Sequence, residues 1–305
     1  MKEIKLDVTE EYDGTRIDKY VSILLEEENV SRTYVQKLIK DGNVLLNQQT
    51  ASASRKVEAD DEIVVSIPDA VAMNIEPENI PLDILYEDDD LIIVNKPKDM
   101  VVHPAPGHYS HTMVNALLYH CKNLSGINGV MRPGIVHRID KDTTGSVIIC
   151  KNDYTHTIMA ERLKEHSIDR RYRALVYGTF QETEGTITGS IGRSTKDRKK
   201  MMIHAPNGKD AVTHYQVLES FSRYSYIECK LETGRTHQIR VHMASIHHPV
   251  VGDELYSNQK CPFSLQGQTL HAYYLGFTHP RYPDKYLEIT APLPDYFEKL
   301  LTNLR

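Results

Sequence analysis

Pro133-Gly-Ile-Val-His-Arg-Ile-Asp140-Lys-Asp-Thr-Thr-Gly145-Ser-Val-Ile-Ile-Cys150 sets one carboxylate beside an arginine, between two apolar runs. Ile135-Val136 and Val147 to Ile149 read as buried strand or strand-end positions. Lys141, Asp142, Thr143, Thr144 and Gly145 read as the loop joining them. Asp140 then stands where a scaffold meets a loop. Position alone leaves two readings open: a carboxylate that does chemistry, or an Asp that caps its own turn. The rest of the chain has to decide.

A chain of 305 residues can hold one large core or two domains. Hydrophobic content of 40% with mixed charge is that of a soluble folded protein. No segment approaches the ~18 apolar residues a membrane helix needs. Met1-Lys-Glu-Ile-Lys-Leu-Asp-Val8 lacks the apolar core of a signal peptide, so the cytoplasm is the expected compartment and no membrane partner is expected. Cys121, Cys150, Cys229 and Cys261 are far apart and make neither a zinc site nor a disulfide framework. The net charge of -6 argues weakly against indiscriminate nucleic-acid binding, but the placement of positive patches matters more than the total.

At the front, Ile17, Tyr20, Val21, Leu24 and Leu25 recur at helical spacing. Ser31 is placed to cap a second helix, with Val35 and Ile39 on its inner face and a stop at Gly42. Val44 to Leu46 and Glu62 to Ile67 follow as short strands. Arg16, Lys19, Ser31, Arg32, Lys37 and Lys40 face outward and suit phosphates, although Glu26 to Glu28 and Glu58 to Asp61 are acidic and near. A weakly periodic linker from Pro68 to Pro81 predicts a boundary near residue 75, with domains at 1-75 and 76-305.

Beyond Leu82 the pattern predicts strands at Leu91 to Val94, Arg171 to Tyr177, Val212 to Val217 and Tyr226 to Leu231. Helices are predicted at Thr112 to His120, Tyr154 to Glu165 and Thr236 to Ile246. No glycine-rich fingerprint follows a strand, so no nucleotide cofactor is expected. The mixed order predicts α+β with a largely antiparallel sheet. Basic residues gather at Arg193 to Lys200 (including Lys199) just after a Gly189 to Gly192 turn, at Arg170, Arg171 and Arg173, and at Arg235, His237, Arg240 and His242. Each cluster alone reads as solvated surface; together they suggest a phosphate-lined cleft. The histidines His103, His108, His111, His247 and His248 show no strong zinc spacing, and no metal is expected. No Ser or Cys sits in a nucleophile motif.

Two resemblances sharpen this reading. Arg16-Ile-Asp-Lys-Tyr20, Ser31-Arg32-x-x-Val35-Gln36-x-x-Ile39 and Gly42-x-Val44 resemble an S4 RNA-binding domain, with Ala59-Asp60-Asp61 standing where that family commonly has Gly-Asp. The resemblance implies that Arg16, Ser31 and Arg32 approach folded RNA. The larger part resembles the RluA/RluD-like family of ribosomal RNA pseudouridine synthases. The match runs through Asn95-Lys96-Pro97 to His103-Pro104, His137 to Gly145, Arg171-Tyr172-x-Ala174-Leu175-Val176-x-Gly178 and Leu231 to His242. Gly252-Asp253-x-x-Tyr256, Leu270-His271-Ala272 and Phe277-x-His279-Pro280 continue it. Lys98-Asp99 departs from the family's small residue and glycine.

The resemblance implies a pseudouridine synthase fold with a central cleft, an S4-like domain in front, and isomerisation of uridine in 23S ribosomal RNA of the large subunit by a monomer without cofactor. It assigns Asp140 to the sugar-base junction, Arg240 as its ion-pair partner and Tyr172 as the ring against the base. Arg138 becomes a wedge that helps hold the uridine out of its stack, at a cost of a few kcal/mol to be offset by the pocket. Arg193, Lys199, Lys200, Arg235 and His237 are expected to contact RNA. Attack at C6, attack at C1′ and a glycal route stay open. A noncatalytic RNA-binding or ribosome-assembly protein is the first alternative. A glycoside or nucleoside hydrolase, which needs a second placed carboxylate, is the other.

Overall fold

The computed structural model describes residues 2–25, 30, 32–68, 75–104, 109–121, 124, 134–195, 197 and 199–305. Ser31, Lys196 and Arg198 of the expected basic set lie outside these, as do Glu26 to Glu28 and His108. Among the described residues the chain divides into two units between Asn74 and Ile75.

The first unit is an antiparallel sheet backed by two helices. Strands β1 (Lys2–Asp7), β2 (Val44–Leu46), β3 (Gln49–Thr50) and β4 (Glu62–Ile67) stand in the order β1-β4-β2-β3. Helices α1 (Ile17–Leu24) and α2 (Arg32–Lys40) supply Tyr20, Val21, Val35, Leu38 and Ile39 to one core with Val44, Ile63 and Val65. The helical stripes therefore close on the alternating face of a sheet, the minimum arrangement that buries both. Strand β1, unread in the sequence, pairs with β4 from Lys2 to Asp7.

In the second unit β5 (Ile84–Glu87), β6 (Leu91–Lys96), α3 (Met113–His120), β7 (Thr144–Cys150), α4 (Asp153–Lys164) and β8 (Asp169–Tyr177) come first. Then follow β9 (Glu184–Arg193), β10 (Met201–Ile203), β11 (Lys209–Ser220), β12 (Tyr224–Leu231) and α5 (Gln238–Ser245). Strands β13 (Leu270–Thr278) and β14 (Tyr286–Thr290) and helix α6 (Asp295–Leu304) end the chain. The ten described strands form one sheet ordered β10-β9-β11-β12-β8-β13-β7-β6-β5, with β14 on β13. Only β7 and β13 pair in parallel; the other pairs are antiparallel, giving the mixed, largely antiparallel α+β sheet expected.

The opening stretch explains the layering. All seven residues of β7 are buried, as befits a strand covered on both faces. Val147 and Ile149 join the core with Met113 and Leu117 of α3, while Ile148 and Cys150 join Met159 of α4 on the other side. Period-two alternation sends neighbours to opposite layers. Two predicted turns are corrected. Thr144 and Gly145 begin β7, because the parallel partner β13 takes up their backbone at His271 and Ala272. Gly189 to Gly192 lies inside β9, where β11 pairs with Gly189 and β10 with Gly192. Glycines in a paired strand carry the same local signature as a bend. The helix expected from Thr236 begins at Gln238, since His237 takes a left-handed backbone (φ 57°) as its N-cap. Among the described residues no helix is long and apolar enough to cross a membrane.

Candidate active site

Ile139 drops into the core while the chain leaving it carries Asp140 to a cavity mouth, one-fifth exposed. Thr143 N–H donates to the Asp140 carbonyl at 3.1 Å, closing the tight connection into β7. The turn is thus built by the Asp140 backbone, which leaves the carboxylate free to face the cavity. Lys96, fully buried at the end of β6, fixes the same segment from behind. Its Nζ donates to the carbonyls of Pro97 (2.7 Å), Met100 (2.9 Å) and Lys141 (2.8 Å), three acceptors for the three protons of an ammonium. Burial pushes its pKa down to about 7, against the pull of Asp142, Asp140 and Asp99.

Opposite stands Arg240, on the buried face of α5. Its Nη1 donates to Asp140 Oδ2 at 2.8 Å. Nε and Nη2 grip Asp253 as a fork, at 2.7 and 2.9 Å. Asp253 is wholly buried and also accepts the N–H groups of Leu255 and Tyr256. Burial works against the charge on Arg240, but Asp253 and then Asp140 outweigh it and raise the guanidinium above its usual value. A planar fork held on one edge by Asp253 can present only its remaining nitrogen, so Asp140 meets a donor fixed in direction.

His237 lies beside this pair, with Nε2 3.8 Å from Asp140 Oδ1 and Nδ1 2.7 Å from the Tyr256 hydroxyl. Burial lowers its pKa, opposed by Asp140. Tyr256 in turn accepts the Met201 N–H at 2.8 Å, tying β10 to the site. On β8, Tyr172 points to the same side as Ala174 and Val176 of the core and lines the cavity with Asp140. Burial raises its phenol pKa, with Arg170 opposing and Asp140 adding to the rise. Tyr172 is therefore a neutral ring at physiological pH, suited to stacking and poorly suited to resting as a base.

Two lobes meet at Asp140. One, of about 440 Å³, is lined by Tyr172, Arg170, Leu231, Gly234, Arg235 and Leu270 among others. The second, of about 470 Å³, runs past Lys141, Asp142, Leu255 and Gln268. Arg138, Ile139, Asp140, His237 and Arg240 border both. Arg138 is exposed at this shared rim.

The expected basic set divides. Arg138, Arg235 and His237 border the pocket, His237 as a neighbour of Asp140 more than as outer surface. Arg193 and Lys199 are exposed around the β9–β10 connection, with Lys200 half-buried, and do not line either lobe. The Arg170, Arg171 and Arg173 cluster splits by strand alternation: Arg171 pairs with Asp169 and Arg173 with Glu228 on the far face. His242 is buried against Thr213, where burial lowers its pKa to about 4. In the first unit Arg16 and Arg32 converge on the buried Asp18, at 3.1 and 3.0 Å, with Gln36 Nε2 adding 2.7 Å. Burial alone would raise that carboxyl; the donors win and hold it at about 2. Two groups of described residues have metal-ligand proximity, Glu87-His120-Cys121 and Asp88-Asp90-His279. Neither borders the pocket, and Asp90 already binds Arg281.

Lys96 and Asp253 were missed as site residues. Both sat in quoted motifs, and the available signal was a charged residue inside an apolar context, Leu91 to Lys96 and Val250 to Asp253.

A carboxylate held by a guanidinium where two pocket lobes meet, with a buried tyrosine ring lining the same cavity, is an arrangement that can receive a single flat ring. Comparison with known proteins defines the class. Residues 90–245 match the family described as RNA pseudouridylate synthase, and residues 15–63 match the S4 domain. An uncharacterized RNA pseudouridine synthase of Bacillus subtilis (strain 168) is 48% identical over 100% of this chain and 99% of its own. The ribosomal large subunit pseudouridine synthase D of Zymomonas mobilis is 43% identical over 98% of this chain and 97% of its own. Among solved structures, human RNA pseudouridylate synthase domain containing 1 superposes with a TM-score of 0.58 at 26% identity, covering 75% of this chain and 96% of that one. The chain belongs to the RluA/RluD-like family of RNA pseudouridine synthases, with an S4 RNA-binding domain in front. It is an RNA isomerase that converts uridine to pseudouridine.

Proposed function

We propose that this enzyme modifies uridines of large-subunit (23S) ribosomal RNA in the cytoplasm, acting as a monomer, with Asp140 as the group that works at the uracil-ribose junction. The observation that carries the site assignment is the placement of Asp140 at the meeting of both lobes, held by an Arg240 already committed to Asp253. The names of relatives such as the Zymomonas mobilis protein support the ribosomal target.

In this reading Arg240 holds and aims the Asp140 side chain, and Tyr172 stacks on the base. Arg138 fills the space the uridine leaves. Arg235 and His237 meet the RNA near the pocket, while Arg16, Ser31 and Arg32 of the first unit, with Arg193, Lys199 and Lys200, add contacts to its backbone. Such contacts fix register and supply affinity without reading sequence. Target selection then rests on which uridines the RNA fold lets turn outward, since loops and bulges lower the unstacking cost.

The test is site-resolved pseudouridine mapping of ribosomal RNA from cells carrying wild-type protein, Asp140→Asn, or no protein. Large-subunit positions modified only with the wild-type protein are the expected result. Full modification by Asp140→Asn would remove Asp140 from its role. An identical map without the protein would remove the ribosomal target.

A further inference from the structure

Two buried guanidiniums line the lobe that holds Tyr172, and they are opposite in kind. Arg240 answers to two carboxylates. Arg170, only 5% exposed, forms no ion pair among the described residues. Its Nη2 donates to the Glu232 carbonyl at 3.1 Å, and its Nε is buried without a hydrogen-bond partner among the described residues. Nη1 lies 2.7 Å from where a Cβ on residue 234 would stand, so Gly234 is the residue that makes room for it. A cation buried without a counter-charge is destabilising, and burial lowers the pKa of this one, with Tyr172 opposing. Among the described residues no carboxylate pairs with it, and the Glu232 carbonyl is its one hydrogen-bond acceptor. The cavity it lines is where compensation would arrive.

The reaction supplies the missing charge. When N1–C1′ breaks, its electron pair stays on uracil and is shared by N1 and the carbonyl oxygens. C5 of that anion then bonds to C1′, the C5 proton leaves and N1 is protonated, so atoms and charge balance. Addition of a carboxylate at C6 likewise places negative charge on a uracil carbonyl oxygen. Resting on the assignment of this cavity to the target uridine, we propose that Arg170 holds a carbonyl oxygen of the uracil ring and stabilises the negative charge that builds there during base exchange. Depth favours the base over a phosphate as the occupant. The cavity-lining cations that reach solvent are Arg138, Lys164 and Arg235, suited to the backbone at the mouth, whereas Arg170 shares a strand face with Tyr172. A preorganised donor in a dry site acts most strongly on charge that develops only in the transition state.

The experiment compares wild type, Arg170→Lys and Arg170→Met in single-turnover reactions on one RNA carrying uridine or 5-fluorouridine at the target. Consumption of the target nucleoside is read by mass after digestion, beside RNA affinity at several salt concentrations and thermal melts. Fluorine withdraws electrons from the ring and stabilises its anion, so it should replace part of what Arg170 supplies. Arg170→Met is expected to bind RNA within about 3-fold of wild type and to melt no lower, since it removes an uncompensated charge. It should react with uridine about 100- to 1,000-fold more slowly, with the deficit at least tenfold smaller for 5-fluorouridine, and Arg170→Lys should lie between. An unchanged rate would overturn the proposal. So would equal losses for both bases with a lowered melt, which marks a structural role, or weakened affinity with a shallower salt slope, which marks a phosphate contact. Full activity of Asp140→Asn in the same assay would sink the underlying site reading instead, whatever Arg170 does.

Discussion

At the scale of single residues, Asp140 and Asp253 sit on the same guanidinium and do different things. Asp253 is completely buried, and removing its partner strands a charge; Asp140 is partly open and loses only a ligand-facing group. Arg240→Met should therefore destabilise the fold by roughly 3–5 kcal/mol, the usual cost of orphaning a buried charge. Asp140→Asn should leave the melting temperature nearly unchanged while abolishing pseudouridine formation. Calorimetry beside a turnover assay separates the two. Asp253→Asn is expected to fall between: Arg240 loses the fork that aims it, so turnover drops more than RNA affinity does. Equal loss of turnover and affinity would deny Asp253 that aiming role.

At the scale of elements, Gly145 is decisive because β7 and β13 meet there in parallel. With φ of 108°, a Cβ at this position would stand 2.2 Å from the Ala272 carbonyl oxygen, so the strands could not pair. Gly145→Ala should cost the protein its cooperative melt or its solubility, even though the residue lines neither lobe of the cavity. Helices α1 and α2 are joined more conditionally, through Asp18. Its carboxyl is held at about 2 in the folded chain against an ordinary 3.8, so its contribution is fully present above about pH 4 and is lost as pH falls through 2. Asp18→Asn should remove that acid step, measurable as a flatter loss of helix signal between pH 4 and 2. These junctions also show what the sequence could reveal. The stripes of α1 to α4, the buried run of β7 and the pairing of Asp140 with Arg240 were legible, the first two from periodicity and the last through family motifs. Strands β1, β3, β5, β9, β10, β13 and β14 and helix α6 are not legible in the sequence. In β9 the glycines look like turn formers, and in β13 the run Leu270-His-Ala-Tyr-Tyr-Leu-Gly-Phe lacks clean alternation because both faces are covered. Arg171 and Arg173 were grouped with Arg170 for the same reason: a cluster in sequence is split by a strand across two faces.

At the scale of the whole molecule, the division at Ile75 gives each part its own core, Tyr20 and Val35 in one and Val94, Val147 and Ile227 in the other. Residues 75–305 expressed alone should melt cooperatively and still isomerise uridine in a short RNA. On folded ribosomal RNA the fragment should bind more weakly, with a salt slope reduced by about one to two phosphate contacts, as expected if Arg16 and Arg32 meet the backbone. An unaltered slope would assign that contact elsewhere. The order of assembly within the larger unit follows from one pairing. Thr144 reaches His271 across 127 residues of chain, and Arg240 reaches Asp140 across 100. Pairs such as β11 with β12 and β6 with β7 can close earlier, but the parallel edge of β7, at Thr144 and Gly145, waits for the last third of the chain. Closing so long a loop is slow and its entropy must be met before the contact rewards it. If Asp140, Tyr172 and Arg240 do the chemistry as proposed, a nascent chain that already holds all three but has not yet released β13 is expected to be inert toward the RNA around it, and truncation just before Leu270 should abolish isomerisation.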